Sequence, residues 1–362
     1  MNYRTLGHTG LKVSEMCLGT MTFGENFFNI AVVDQRGASK MVARAIESGI
    51  NFFDTADVYA YGQSETLLGR AIKDSAVGRE TVIIATKVRG AMSEAAMSGS
   101  GDVNNVGLSR QHILSSVEQS LRRLGTDYID LYQVHGWDVI TPIEEALRAL
   151  DDLVRQGKVR YLGCSNWSAR HLMKALYLAR GEGWTSFVSL QTYYSLVGRD
   201  LEHELLPLCR EEGLGVLPWS PLSGGFLSGK YRRDDPNPEG ARRTGFDFPL
   251  IDEARGFDAV DALALVANQK GATVAQVALA WLLAQPGVTS IIIGANKMEQ
   301  LEDNLKASAL QLSPAEVEQL SLSTAPAPLY PEWMIERQNQ GRQRPQANKS
   351  KDEEISGAAA AR

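Results

Sequence analysis

Tyr128-Ile129-Asp130-Leu131-Tyr132-Gln133-Val134-His135 is the run whose reading decides the fold. It has strand length, its hydrophobicity is nearly continuous, and it ends in an ionisable side chain. That is the pattern of a strand covered on both faces. Upstream, Ile113, Val117, Leu121 and Leu124 recur at helical spacing, and downstream Ile143, Leu147, Leu150 and Val154 do the same. Thr141-Pro142-Ile143-Glu144 has the form of a capping box with proline at the first helical position. Gly157 can close that helix, and residues 160–165 form the next strand-length run.

The same rhythm extends in both directions. Apolar runs at 16–21, 50–54, 81–86, 128–135, 160–165, 187–191, 214–219 and 290–294 make eight, with helical stretches between them. Eight strands alternating with helices point to an α/β protein of the (β/α)8 TIM-barrel type, with a doubly wound open sheet as the competitor. Residues up to Val13 are expected to form a hairpin capping one end. Residues 22–38, 89–108 and 218–249 read as long polar loops at the barrel's C-terminal face, the second of them mobile. Ser313-Pro314-Ala315-Glu316 repeats the helix-start signal near the end. The expected organisation is one barrel domain over 1–325. The tail at 326–362 is expected to be partly packed over Pro326–Arg337 and disordered beyond Gln338.

Composition narrows the function classes. The 362 residues carry a net charge of −6, with 44% hydrophobic and 22% charged residues and no basic block. That balance argues against nucleic-acid binding. No run is long and apolar enough to span a bilayer, and the first residues lack a secretory h-region. Cys17, Cys164 and Cys209 are an odd number, far apart, and read as reduced thiols of a cytoplasmic protein. No HExxH and no Cys/His cluster exists, so no metal site is expected. Gly213-Leu214-Gly215 fails as a dinucleotide fingerprint, because Pro218 stands at the third glycine. The stretch 224–230 has P-loop spacing, but Tyr231 replaces the Ser/Thr that would hold Mg²⁺.

The ionisable residues near strand ends say more. Asp54 ends the second run, Tyr59 follows five residues later, Lys87 ends the third and His135 the fourth. In a parallel barrel these ends share one rim. Each has an ordinary reading as a turn ligand, a loop cover, a solvated strand end or a structural histidine. Together they make chemical sense. A phenol is a poor acid at neutral pH, a nearby ammonium lowers its pKa, and a buried ammonium needs a carboxylate. A neighbouring imidazole can aim a carbonyl oxygen at the phenol. The set suits proton donation to a carbonyl that is receiving a hydride.

These segments resemble the aldo-keto reductase family over nearly the whole chain. The matching pieces are Tyr3-Arg4-Thr5-Leu6-Gly7, Leu18-Gly19-Thr20-Met21, Asp54-Thr55-Ala56-Asp57-Val58-Tyr59, the stretch 121–135, the stretch 157–166, Gln191-Thr192-Tyr193-Tyr194, Pro218-Trp219-Ser220-Pro221-Leu222 and the stretch 294–304. The resemblance implies a (β/α)8 barrel that holds an extended NADPH. It places the proton donor on Tyr59, its lysine on Lys87, the carboxylate on Asp54 and the orienting histidine on His135. It places cofactor contacts on Gly19 and Asp54, and nicotinamide contacts on Thr20, Met21, Ser165, Asn166, Gln191 and Trp219. Ser220, Pro221, Leu222, Ser223, Gly225 and Lys230 fall on the pyrophosphate segment. Gly294, Lys297, Gln300, Asp303 and Asn304 fall on the adenosine segment. Many members carry arginine near Asn296 or Gln300, whereas Lys297 is the cation here, so NADP(H) is expected with NAD(H) as the weaker alternative.

The resulting expectation is a cytoplasmic NADP-dependent oxidoreductase that interconverts small aldehydes or ketones and alcohols, without nucleic-acid or membrane partners. The alternative is a cofactor-sensing subunit of a larger assembly with little turnover. Phe23, Phe27, Phe28, Trp137, Tyr194 and Trp333 are candidates for an apolar substrate pocket, and the sequence leaves the substrate and the oligomeric state open.

Overall fold

The computed structural model describes residues 1–342, apart from 26 and 240. The chain divides into two units, Met1–Ala325 and Pro326–Arg362. Within the first, a short antiparallel hairpin of β1 (Tyr3–Thr5) and β2 (Lys12–Ser14) precedes eight parallel strands. These are β3 (Met16–Gly19), β4 (Phe52–Asp54), β5 (Ile83–Val88), β6 (Ile129–Val134), β7 (Val159–Ser165), β8 (Phe187–Tyr193), β9 (Gly215–Trp219) and β10 (Ile291–Gly294). Their order around the sheet is β10-β3-β4-β5-β6-β7-β8-β9. A parallel bridge between Val216 and Val288, with Thr289 N donating to Val216 O at 2.9 Å, joins β9 to the chain entering β10 and closes the ring. The open-sheet alternative is thereby excluded.

The strands form because their side chains are buried on both faces, as the continuous apolar runs require. Val13 and Leu6 from the hairpin pack with Cys17, Phe52, Ile83, Leu131, Leu217 and Ile292, so the hairpin plugs the N-terminal end of the barrel. On the outside, helix Arg110–Leu124 buries Ile113, Val117, Leu121 and Leu124, and helix Ile143–Arg155 buries Ile143, Leu147 and Leu150. Each such side chain contributes about 1.5–3 kcal/mol. The barrel is therefore held from within and from without, which leaves the C-terminal ends of the strands free to carry chemistry.

Two local expectations shift. Pro142 is extended (φ −55°, ψ 133°) and stands outside its helix, so Thr141 is too far back to cap it; its hydroxyl donates instead to Asp138 at 2.7 Å. The third strand runs on to Val88, which puts Lys87 inside the strand and not at its end. The Ser313 capping box is present, with Glu316 reciprocating. The loop at 89–108 contains a short helix, Glu94–Ser98, capped by Ser93. In the second unit, helix Glu332–Gln338 carries Trp333 beside Tyr330. Of the stretch beyond Gln338 that is expected to be disordered, residues 339–342 form a turn in which Arg342 N donates to Asn339 O at 2.9 Å, and residues 343–362 lie outside the described residues.

Candidate active site

Register brings the ionisable groups together. Lys87 on β5 pairs with Gln133 on β6, and Gln133 with Gly163 on β7. A side chain on Gly163 would stand 2.7 Å from the Ser189 hydroxyl and 3.1 Å from Gln133 Cγ, so only glycine leaves room for the inward-pointing polar layer. In that layer the fully buried Lys87 Nζ donates to Asp54 Oδ1 at 2.5 Å, to Thr55 O at 2.8 Å and to Tyr59 Oη at 3.2 Å. The other Asp54 oxygen accepts from Gln191 at 2.8 Å and from Gln133 at 3.1 Å. An ion pair this deep persists only when the remaining hydrogen-bonding capacity is met, and here four partners on separate elements meet it.

Tyr59 opens a short turn, Tyr59–Gly62, in which Ala60 and Tyr61 both adopt positive φ. His135 is the first residue beyond β6, and its ring lies 5.6 Å from that of Tyr59, nearly edge-on. Burial alone would push the Lys87 ammonium down, but Asp54 and the Tyr59 oxygen outweigh it and hold Lys87 above its ordinary value. Burial also raises the Tyr59 phenol, with the Lys87 ammonium opposing. The net direction is upward, where the sequence argument expects a lowered phenol. The reason is that Tyr59 loses more hydration than a single ammonium, itself shared with Asp54, returns. The phenol is consequently a group that keeps its proton until an acceptor of higher basicity forms. Desolvation, followed by the Lys87 and Arg89 charges, drives His135 well below its usual value, so its imidazole is neutral.

The residues assigned to nicotinamide gather around this centre. Thr20 N and Oγ1 both donate to Asp54 O, at 2.9 and 3.1 Å, and Thr20 Oγ1 also meets Ser64. Gly19 abuts Ile292, where a side chain would clash at 2.6 Å, and Met21 packs against the cluster of Phe27, Ile30, Ala31 and Ala60. Asn166, in left-handed conformation, donates to His135 O at 3.2 Å and accepts from Trp219 Nε1 at 3.0 Å. Ser165 Oγ is buried without a hydrogen-bond partner in the fold. This orphan stands at the end of a strand, beside Asn166 and directly across from Gln191, its register partner, with its donor and acceptor capacity unused among the described residues.

Most of the residues expected at the pyrophosphate sit in a tight turn. Ser220, Ser223, Gly224 and Gly225 all take positive φ, and a side chain at Gly224 would meet Phe248 O at 2.6 Å. Pro221 is buried, Leu222 half-buried and Lys230 exposed. In the segment expected to meet adenosine, Gly294 ends β10 and Lys297 is exposed. Gln300 accepts from the backbone of Asn296 and Lys297 at 3.0 and 3.3 Å. Asp303 accepts from Thr273 at 2.9 Å and Gln276 at 2.7 Å, and Asn304 donates to Gly294 O at 3.4 Å.

Of the apolar candidates, Phe27 and Phe28 line a cavity of ≈ 480 Å³ with Tyr61, Glu94, Met97 and Ser98. Phe23 and Tyr194 are instead fully buried in the core, Trp137 stacks on His171, and Trp333 belongs to the second unit. Two contributors were not anticipated. Gln133 lies in the quoted strand as a polar residue on an inward position, a signal that was available. Phe248, stacked on Trp219 at 5.5 Å, comes from a loop whose path no periodicity reveals.

The sequence matches the profile of the Aldo/keto reductase family over residues 15–322. It is 34% identical to a versiconal hemiacetal acetate reductase of Aspergillus parasiticus, covering 91% of this chain and 99% of that protein. It is 40% identical to the uncharacterized oxidoreductase YrpG of Bacillus subtilis, covering 86% of this chain and 92% of that protein. It is also 38% identical to a putative voltage-gated potassium channel subunit beta of Schizosaccharomyces pombe, covering 84% of this chain and 87% of that protein. With its closed eight-stranded barrel, the chain belongs to the aldo/keto reductase family.

Proposed function

We propose that Met1–Ala325 is the catalytic unit of a cytoplasmic NADP-dependent reductase of aldehydes and ketones. The observation that carries this reading is the contact of the buried Lys87 ammonium with both Asp54 and the Tyr59 hydroxyl. NADPH, when bound, supplies the hydride. Ser165, Asn166 and Gln191 would hold its nicotinamide carboxamide, with Thr20 and Met21 below and the Trp219 ring against it. Ser220 to Ser223, Gly225 and Lys230 would hold the pyrophosphate, and Gly294, Lys297, Gln300, Asp303 and Asn304 the adenosine end. The orphaned Ser165 hydroxyl fits that assignment.

Tyr59 donates its proton to the substrate oxygen as negative charge builds there. Lys87 stabilises the phenolate left behind, and Asp54 keeps Lys87 charged and aimed. Neutral His135 donates a hydrogen bond that positions the carbonyl. The aromatic cavity lined by Phe27, Phe28 and Tyr61 receives the apolar body of the substrate. Lys297 favours the 2′-phosphate of NADPH, and equal catalytic efficiency with NADH would contradict that preference.

The test is NADPH oxidation over a panel of aldehydes and ketones, alongside a fluorescence titration of cofactor binding. Turnover of at least one carbonyl with saturable cofactor binding is expected. The similarity to a potassium channel subunit beta favours a second reading, a cofactor-sensing subunit. Tight cofactor binding, no turnover and a co-purifying partner would decide for it.

A further inference from the structure

We propose that Arg89 is a specificity-determining residue that selects carbonyl substrates bearing a carboxylate. The inference rests on the reductase reading above and names the substrate class of the same site.

Arg89 is the first residue beyond β5, two positions after Lys87. Its backbone has φ 129°, a positive value that glycine adopts freely and a residue with a Cβ rarely does. The position is nevertheless not glycine, although Gly90 follows it immediately. The turn fixes both ends of the residue. Its carbonyl accepts from Gly107 N at 3.0 Å, and its side chain runs across Gly136, where an added Cβ would lie 3.6 Å from both Cδ and Nε. Gly136 adjoins His135, so the strained turn delivers a guanidinium to the edge of the reaction centre.

That guanidinium has no hydrogen-bond or ion-pair partner among the described residues, and Arg89 is exposed. Other arginines near this rim are committed: Arg243 to Ser223 O, Pro249 O and Asp247, and Arg123 to Glu65. A solvated surface arginine gains nothing from a strained backbone, whereas one that must face a ligand does.

Topology separates Arg89 from the phosphates of the cofactor. In the closed ring β10-β3-β4-β5-β6-β7-β8-β9, β5 stands opposite β9, and the candidate pyrophosphate segment follows β9. A cation at the end of β5 stands across the mouth from that segment, next to His135. Guanidinium binds carboxylate bidentately, through a planar fork that a single ammonium does not reproduce. The ligand class that fits is an aldehyde or ketone with a carboxylate a few bonds from the carbonyl. The carboxylate meets Arg89 while the carbonyl oxygen meets Tyr59 and His135.

The test compares 4-carboxybenzaldehyde with its neutral analogue, methyl 4-formylbenzoate, in wild-type protein, Arg89→Met and Arg89→Lys. The ratio of kcat/KM for the acid over the ester should fall about 10- to 100-fold in Arg89→Met, the loss of one charge-assisted contact, and fall less in Arg89→Lys. A second readout needs no turnover: terephthalate binding to the NADP⁺-saturated protein, followed by tryptophan fluorescence, should weaken by a similar factor in Arg89→Met. An unchanged ratio or unchanged terephthalate affinity in Arg89→Met overturns the inference. Protein that binds terephthalate through Arg89 and reduces neither aldehyde upholds it while contradicting the reductase reading. Protein that reduces both with an unaltered ratio does the reverse.

Discussion

Replacing Lys87 with methionine removes the centre of the buried polar layer. The ammonium makes three contacts, at 2.5 Å to Asp54, 2.8 Å to Thr55 O and 3.2 Å to Tyr59. Methionine fills the stem but satisfies none of them, and the Asp54 carboxylate, 2% exposed, keeps only the amides of Gln133 and Gln191. Breaking a buried pair from one side costs about 3–5 kcal/mol, because the other charge is stranded. Removing that charge as well should return part of the loss, so the double variant Lys87→Met, Asp54→Asn is expected to be more stable than Lys87→Met alone. The coupling between the two positions should be about 2–3 kcal/mol. Urea unfolding without cofactor, on wild type, both single variants and the double variant, measures it directly. At a slope of roughly 3 kcal/mol per molar urea, the single variant's midpoint falls by about 1–1.7 M. If the two substitutions simply add, within about 0.5 kcal/mol, then Asp54 and Lys87 are not energetically paired and the argument for the charged lysine fails.

Two further outcomes follow from the same structure. His135 titrates well below its ordinary 6.5 in the folded protein, so its contribution to stability is present above that pH. It is lost as pH falls from there toward the folded value; the loss should proceed at about 1.4 kcal/mol per pH unit and be absent in His135→Asn, as urea midpoints at pH 5 to 7 would reveal. Gly69 packs against the end of a neighbouring helix, where a methyl group would lie 2.3 Å from Leu124 O. Gly69→Ala should therefore cost about 1–3 kcal/mol, and a variant as stable as wild type would refute that packing.

The barrel was legible because its strands are buried on both faces. Residues 128–135 cannot be read as an amphipathic surface element, and seven similar runs cannot all be core helices. The catalytic candidates were legible for a related reason: Asp54, Lys87 and His135 interrupt or terminate apolar runs, where a charge has a purpose or a penalty. Side-chain direction was harder. Phe23 and Tyr194 are as aromatic as Phe27 and Phe28, and only the loop path puts the first two in the core and the others on the cavity. The Thr141 cap failed because a single extended proline moved the helix start by one residue. The upward net direction of the Tyr59 phenol needed the depth of burial, which adjacency of residue types does not supply.

The proposed role of Tyr59 as the proton donor is tested most directly by single-turnover hydride transfer in Tyr59→Phe. With NADPH and an accepted aldehyde both saturating, stopped-flow loss of nicotinamide absorbance should slow by about 10²–10⁴-fold, while NADPH affinity by fluorescence stays within a factor of a few. Hydride transfer at the wild-type rate in that variant would contradict the account.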